Sequence, residues 1–461
     1  MTAAALEAVT WAGPVDLPLA GELDVQAACG LMHLHGRRFG RPTRLGLDHA
    51  SISAAELAGI GARAVELARA RGIALRPATT SVAQAALLTV SQYLAAATAE
   101  GWPEPHEPGG PPFRSVEGVA FELEALHTEV WQRFWTMLGA DPRTAALGRR
   151  PFLNRCATAT CPLPADLFEL TARTSIGVLE EVARRTATTL VRVASRAVDD
   201  LPAYLMTPLG DAPPLPPGGP LPLSGLVVLE SCHRVRGPMA GHLLGLLGAT
   251  VVRVEPPGGD PLRGVPPMVG GCSARFLALN RGKQVVEVDL GTGSGRRSLL
   301  ELASVADVFL HDWAPRRAAA WASGPADLAR VRPGIVYAHT SGWGDELGPQ
   351  APPGTDFLVQ AHAGVPSTLV GVVDVFGGLV AARGVVDGLL RRARTGRGQS
   401  VETSLLSAAS RLNARSRGRS AAPLTVPVCT DLAALARDPR FARALVREGC
   451  AFPASPWEFP R

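Results

Sequence analysis

Residues 225–255 read GLVVLESCHRVRGPMAGHLLGLLGATVVRVE, and this stretch decides the fold. It contains two short β-branched runs, at 225–230 and 250–255, on either side of an apolar segment at 238–248. Runs of this length bounded by glycine are typical of buried strands, and the intervening segment has the length and spacing of a helix. The stretch therefore predicts a strand–helix–strand unit with parallel strands.

The same alternation continues towards the C-terminus. Further strands are predicted at 284–290, 307–311 and 335–339, with a helix at 296–306. Parallel strands joined by helices form a sheet that is covered on both faces. We therefore expect an α/β fold with a Rossmann-like, doubly wound parallel sheet.

Proline and glycine mark the clearest boundary, in the sequence PLGDAPPLPPGGPLPLSG at 208–225. Such a composition excludes a helix or a central strand and favours an extended linker. Helical spacing at 128–139 and 164–185 predicts a smaller, mainly helical α+β domain before it. The expected divisions are a partial repeat of the end of the large domain at 1–100, the small domain at 101–205, a linker at 206–224, the large domain at 225–410, and a C-terminal tail at 411–461 that packs back on the large domain.

An internal duplication connects the first hundred residues with the end of the large domain. Four anchors occur in the same order in both segments, at nearly constant spacing. They pair QAACG at 26–30 with QAHAG at 360–364, GLD at 46–48 with VVD at 372–374, ARARG at 68–72 with RARTG at 392–396, and Thr80-Ser81 with Thr403-Ser404.

Composition excludes several classes of protein. The 461 residues are 46% hydrophobic, which supports packed cores, and the net charge of +5 is carried almost entirely by arginine, since Lys283 is the only lysine. This arginine bias gives no reason to expect nucleic acid as a partner. The start of the chain lacks the layout of a secretory signal, and the most apolar stretch, 371–390, contains three charged residues. We expect a cytoplasmic protein without membrane contact, disulfide framework or metal site.

The loop after Glu230 argues against a nicotinamide dinucleotide as ligand. It reads SCHRVRGP at 231–238 and has no GxGxxG. A glycine cluster does occur at 291–295, but it follows a later strand, and clusters of this kind are more often turns. An oxidoreductase is therefore the least favoured of the activities considered.

Several motifs in the second half resemble those of the class III CoA-transferases, the family that also includes carnitine CoA-transferases and α-methylacyl-CoA racemases. Together they span most of residues 223–410 in the family's order. They are Gly237-Pro238, LGLLGA at 244–249, VVRVEPPGGD at 251–260, LNRGK at 279–283, SGWG at 341–344 and TGRGQ at 395–399.

The resemblance implies coenzyme A or acyl-CoA as the bound substrate. Cations and backbone donors would hold its phosphates. By resemblance, the residues that contact coenzyme A are Val235 and Arg236 on the first loop, Asn280 and Lys283 in the Asn-x-x-Lys block, Asp312, Trp313 and Ala314 beneath the adenine or pantetheine, and Ser341, Gly342 and Trp343 near the thiol. Arg263, Arg281 and Arg316 are further phosphate candidates.

The resemblance also implies an aspartate nucleophile, which attacks the thioester and then carries coenzyme A to an acceptor acid. Phe39 occupies that position in the first copy, and the second copy is shortened between Gly364 and Asp374. Asp356 and Asp374 are the remaining candidates. Asp356 matches an acid/base of the family's racemases, whose partner histidine has no counterpart at 325–327. Helix capping is the alternative role for Asp374.

Three hypotheses for the function follow. The first is a CoA-transferase that acts on an acyl-CoA and a small carboxylic acid, with Asp356 and Asp374 as catalytic candidates. The second is an acyl-CoA isomerase or racemase that exchanges an α-proton. The third is a catalytically silent coenzyme-A-binding partner. The family's transferases form dimers, so a homodimer is possible.

Overall fold

The computed structural model describes residues 9–101, 107–348, 350–416 and 423–460. Parts of three predicted segments lie outside the described residues, namely 1–8 of the first segment, 102–106 of the small domain and 417–422 of the tail. No helix within the described ranges is long and apolar enough to cross a membrane.

The N-terminal segment is mainly helical, with two very short parallel strands. Its elements are β1 (Val9–Thr10), α1 (Glu22–Ala28), α2 (Leu31–Gly36), α3 (His49–Ala70), β2 (Thr80–Ser81), α4 (Val82–Thr89) and α5 (Ser91–Thr98).

The next segment forms a small α+β unit around Trp131, Trp135 and Phe152, which are buried together. Its elements are β3 (Phe113–Arg114), β4 (Ala120–Glu124), α6 (Thr128–Met137), α7 (Pro142–Thr158), α8 (Ala165–Ala172), α9 (Ile176–Thr186) and β5 (Thr189–Arg192). The single helical stretch expected at 164–185 is two helices. It divides because the Ser175 hydroxyl caps α9 by accepting the N–H of Val178.

The large unit contains a seven-stranded sheet in the order β11-β8-β7-β12-β13-β14-β6, parallel except at its β6 edge. Its elements are β6 (Leu205–Asp211), β7 (Val227–Ser231), α10 (Arg236–Leu246), β8 (Thr250–Glu255), β9 (Met268–Val269), β10 (Cys272–Ser273), α11 (Ala274–Asn280), β11 (Gln284–Glu287), α12 (Gly293–Ser304), β12 (Val308–His311), α13 (Pro315–Ala320), α14 (Pro325–Val331), β13 (Val336–Ser341), α15 (Asp356–Ala363), α16 (Val372–Thr395), β14 (Arg397–Ser404) and α17 (Leu405–Arg415).

Both faces of this sheet are covered, because successive side chains of a strand point to opposite faces. Val228 and Leu310 are buried in the cluster that includes α10 and α16. Leu229 and Phe309 are buried in the opposite cluster, with α12 and α14. The predicted α/β fold class is confirmed.

Two strands of the seven-stranded sheet were not expected. Residues 205–211, which overlap the start of the predicted linker at 206–224, form β6, antiparallel to β14 at the edge of the sheet. Pro208 is tolerated there because an edge strand does not need every backbone N–H for pairing. The β14 segment, RGQSVETS, lacks the apolar run that would have revealed it, although much of it is buried. Polar residues in an interior strand hide it from a hydrophobic pattern.

The C-terminal tail contains α18 (Leu432–Arg437), β15 (Leu445–Arg447) and β16 (Ala451–Pro453). Phe452 is buried against α5 and α11, so the tail contacts the N-terminal segment as well as the large unit. The Trp457 indole donates to the carbonyl of Leu57 on α3, at 2.8 Å.

A buried ionic network holds the beginning of the sheet together. Arg253 donates to Glu230, to Glu255 at 3.1 Å and to Asp260 at 2.6 Å. Lys283 Nζ lies 2.8 Å from the other oxygen of Glu230 and also donates to two oxygens of the chain at 2.9 Å each. The Lys283 side chain is only 3% exposed. All the charges are paired, which is the condition for tolerating them in a core.

We predict that Lys283→Met destabilises the protein by about 3–5 kcal/mol, because it leaves buried acceptors without their donor. Urea unfolding measures the change. Arg184→Ala, which breaks an exposed pair with Glu181, is the control and should leave the unfolding midpoint unchanged. Equal midpoints for wild type and Lys283→Met would contradict the structural role.

Candidate active site

Three loops meet at the carboxyl edge of the sheet, after β7, β12 and β13. The Arg236 guanidinium donates to the carbonyls of Thr340, at 2.8 Å, and of Ser341. Asp312 accepts the backbone N–H of His233 at 2.7 Å and faces its ring nitrogen at 3.1 Å. These bonds fix the loops against each other at the edge where ligands bind in open α/β sheets.

Asp356 lies beside this edge as the first residue of α15, and it is 3% exposed. Its carboxylate accepts the backbone N–H of Asp374 at 2.6 Å and a bond from the Gln360 amide. Burial raises the pKa of the Asp356 carboxyl well above its usual range, and the neighbouring Asp374 raises it further. The two hydrogen bonds oppose the shift. Asp356 is therefore the member of the pair that keeps a proton most readily.

Asp374 is the third residue of α16 and is partly exposed. Burial raises its pKa, while the guanidinium groups of Arg236 and Arg234 lower it. Gly371 stands at the N-cap of α16, so Asp374 does not cap this helix. The Asp356 carboxylate, which belongs to another helix, takes the free N–H instead. Capping of α16 therefore does not account for Asp374.

The small unit supplies the other wall of the acid pair. A methyl group built on Gly371 would lie 3.5 Å from the Cys156 sulfur, 3.9 Å from the Asp356 carboxylate and 3.9 Å from Cβ of Asp374. Burial raises the pKa of the Cys156 thiol to about 12, so this thiol stays neutral. Phe357, next to Asp356, is buried in the small unit's aromatic cluster. The two units therefore enclose the carboxylates jointly.

Arg234 is a site residue that the sequence did not single out. It lies on the loop after β7 with a φ of 60°, in the left-handed region that residues other than glycine seldom adopt. Its side chain is exposed, and its charge lowers the pKa of Asp374. The loop therefore presents a cation to the solvent side of the acid pair. An arginine in a chain rich in arginine gave no signal of this role.

The predicted coenzyme A ligands fall into two groups. The first group, called the loop group, lies on or next to the three loops and consists of Val235, Arg236, Asp312, Trp313, Ala314, Ser341, Gly342 and Trp343. Asn280, Lys283, Arg263 and Arg281 lie around the buried network and α11.

In the loop group, most side chains are occupied in holding the chain. The Trp313 indole donates to the Ser231 hydroxyl at 3.1 Å, and the Trp343 indole donates to the carbonyl of Pro352 at 2.7 Å. Gly342 is required by a close approach, since a methyl group there would lie 2.6 Å from Cα of Gly354. Beside Ser341 and Trp343 an open cavity of about 320 Å³ reaches the protein surface.

In the second group, the cations have partners within the chain. Arg263 is bound to Glu255 at 2.7 Å, and Arg281 donates to the carbonyl of Pro453 at 3.1 Å. Asn280 accepts a bond from Lys283. A phosphate would have to displace these partners. The described residues contain no cluster of three metal-ligating side chains.

Two histidines that could act as bases, His339 and His362, are held by other groups. His339 faces the carbonyl of Trp313 at 2.9 Å and stacks on His311, and burial lowers its pKa. The His362 ring packs edge-on against Trp343 at 5.4 Å. The carboxylate pair therefore has the better position for chemistry at this edge.

Comparison with known proteins gives the same assignment for this part of the chain. The sequence profile of CoA-transferase family III matches residues 223–428. A probable fatty acyl-CoA transferase of Mycobacterium tuberculosis is 34% identical over 42% of this chain and 52% of its own length. Acetyl-CoA:oxalate CoA-transferase of Acetobacter aceti is 34% identical over 42% and 52%. Succinyl-CoA:glutarate CoA-transferase of Mus musculus is 34% identical over 40% and 46%.

The chain thus spans about half the length of the curated relatives that it matches. The matched region contains the seven-stranded sheet apart from β6, the three loops and both carboxylates. Residues 223–428 of the chain are thus similar to CoA-transferase family III.

Proposed function

We propose that this protein transfers coenzyme A from an acyl-CoA to a small carboxylic acid, with Asp374 as the nucleophile and Asp356 as its buried, proton-holding partner. The observation that carries the proposal is the carboxylate pair at the N-terminus of α16, enclosed by the small unit and open towards Arg234. Two carboxyl groups this close cannot both ionise at low cost, so they share one negative charge. That charge lies on Asp374, because Arg234 and Arg236 face it.

The proposed chemistry begins with attack of the Asp374 carboxylate on the thioester carbonyl. The C–S bond breaks, coenzyme A leaves as the thiolate, and a mixed anhydride forms. The thiolate then attacks the aspartyl carbonyl, which releases the first acid and leaves an aspartyl thioester. The acceptor carboxylate repeats these two steps in reverse order, so that Asp374 is regenerated and no oxidant or metal is consumed.

The fit to coenzyme A rests on the loop group rather than on Lys283. Arg234, on the loop after β7, and Arg316, in the first turn of α13, are exposed cations. The cavity beside Trp343 is rimmed by Asp345, Glu346 and Glu402, which disfavours a phosphate there. We therefore expect the phosphates to lie on the Arg234 and Arg316 side and only uncharged parts of the substrate near Trp343.

An isomerase is the second candidate, and the raised pKa of Asp356 favours it. A carboxyl group that titrates nearer to neutral pH is a better general base or acid. Exchange of an α-proton would need neither an acceptor acid nor a covalent intermediate. Uptake of deuterium into acyl-CoA from D2O, without covalent labelling of the protein, would support this alternative.

We predict that Asp374→Asn lowers transfer by roughly 10³-fold or more, because the amide cannot form the anhydride. The rate is measured as transfer of coenzyme A from acetyl-CoA or succinyl-CoA to a panel of carboxylic acids that includes oxalate and glutarate. Hydroxylamine should trap wild-type protein as a hydroxamate at Asp374, located by peptide mass spectrometry. Asp211→Asn, at an exposed strand end, is the control. Unchanged turnover in Asp374→Asn would contradict the assigned nucleophile.

For Arg234→Ala we expect a rise in KM for the acceptor acid of about ten- to a hundredfold, the effect of losing a charge-assisted bond. The acidic limb of the pH–rate profile should also move to higher pH, since the cation that lowers the pKa of Asp374 is gone. Arg330→Ala, an exposed arginine on α14, should change neither quantity. A purely structural Arg234 would leave the acidic limb in place.

Asp356→Asn tests the buried carboxyl through stability. In wild type the folded pKa of Asp356 lies above the unfolded value of about 3.9, so the folded state binds more protons between the two values. Wild-type stability contributed by this group is therefore lost as pH rises through that window. As the pH rises from 4 to 8, the free energy of unfolding of Asp356→Asn should increase by about 1–2 kcal/mol relative to that of wild type. A stability difference independent of pH would exclude the raised pKa.

A further inference from the structure

The N-terminal segment repeats the element order of the segment that carries the acid pair. The series β1, α1, α3, β2, α4 corresponds to β13, α15, α16, β14, α17. In both series the first strand lies parallel to the second, and the register agrees as well. Thr80 pairs with Val9 just as Thr403 pairs with Thr340.

The correspondence extends to side-chain hydrogen bonds. Glu22 begins α1 and accepts a bond from the Gln26 amide at 2.9 Å, as Asp356 begins α15 and accepts a bond from Gln360. Each glutamine also uses its carbonyl oxygen to accept a backbone N–H from the following loop, at 2.9 Å in both cases. Four side chains thus occupy matching positions with matching partners.

Each carboxylate then binds the beginning of the long helix. Glu22 accepts the N–H groups of Ala50, at 3.1 Å, and Ser51, at 2.7 Å, in the first turn of α3. Asp356 accepts the N–H of Asp374 in the first turn of α16. Ser51 is therefore the counterpart of Asp374. The sequence anchors had paired Asp374 with Asp48, which lies three residues before Ser51.

The helices that follow are capped identically. Ser81 and Ser404 both have φ of −138° and ψ of 160°. Ser81 accepts the N–H of Gln84, and Ser404 that of Ser407, which is three residues ahead in each case.

The two long helices pack against each other in a parallel direction. Three ion pairs join the helices and follow in the same order along both of them. They are Glu56 with Arg383 at 3.5 Å, Arg63 with Asp387 at 3.2 Å and Glu66 with Arg394 at 2.8 Å. In the register that pairs Ser51 with Asp374, these partners on α16 lie one to five residues beyond the equivalent positions. The two helices therefore run side by side in the same direction, as a two-fold axis parallel to both helices requires. The same axis relates two copies in an isologous dimer.

We propose that residues 9–98 are a degenerate second copy of residues 336–415, docked on it about a pseudo-two-fold axis along α3 and α16, and that this copy occupies the surface where a second chain would otherwise bind. The protein is therefore a monomer that contains its own partner. The buried charge contacts of Glu56 with Arg383 and Arg411 are made within one chain and fix the docking.

The degenerate copy has lost the acid pair. Ser51 stands where Asp374 stands, and its hydroxyl donates to Glu22. Glu22 is consequently a single carboxylate surrounded by donors from Gln26, Ala50 and Ser51. Only the second copy retains two carboxyl groups, so we expect one site per chain.

The solution mass of the full chain tests the docking proposal. Light scattering between about 1 and about 100 µM should give the single-chain mass of 48.2 kDa at every concentration, since no equilibrium with a second chain exists. A two-chain mass within that range would overturn the proposal. This result does not depend on whether the chain has transferase activity.

A pair of reciprocal variants tests the equivalence of the two copies. Asp374→Ser gives the second copy the side chain of the first and removes one of two adjacent acids, so its Tm at pH 8 should equal or exceed that of wild type. Ser51→Asp places a second acid beside Glu22 and should lower Tm more at pH 8 than at pH 5. A lower Tm for Asp374→Ser, or a loss in Ser51→Asp that is independent of pH, would overturn the equivalence.

Discussion

The hydrogen bond from the backbone N–H of Asp374 to the Asp356 carboxylate is the contact on which the site depends. It binds the start of α15 to the start of α16 and replaces the cap that Gly371 cannot supply. It also places two carboxyl groups together, with one buried and the other facing Arg234. Under the proposed function, the positive end of α16 stabilises the single negative charge of the pair.

The sheet could be predicted because its interior strands carry continuous apolar runs, such as Val227–Ser231 and Val308–His311. Two strands escaped prediction for opposite reasons. In 397–404 buried polar groups break the run, and in 205–211 Pro208 suggests a linker. The break between α8 and α9 depends on one cap, Ser175, which a helical spacing does not reveal.

The site was only partly visible in sequence. Asp356 was identified from the family's pattern and Asp374 as the other acid close to it in sequence, but their contact depends on how the chain folds back between them. Lys283 was expected to contact coenzyme A, yet the structure pairs it with Glu230 in the core. Arg234 was overlooked, since exposure and a positive φ belong to the folded chain alone.

A crystal structure of the full chain with acyl-CoA tests the central claim most directly, because the thioester reports which carboxylate reacts. The account predicts that its carbonyl carbon lies within about 3.5 Å of an Asp374 oxygen, the separation of a reactive complex. Arg234 would lie on the same side. A thioester bound in the cavity beside Trp343 and Glu402, out of reach of Asp374, would contradict it.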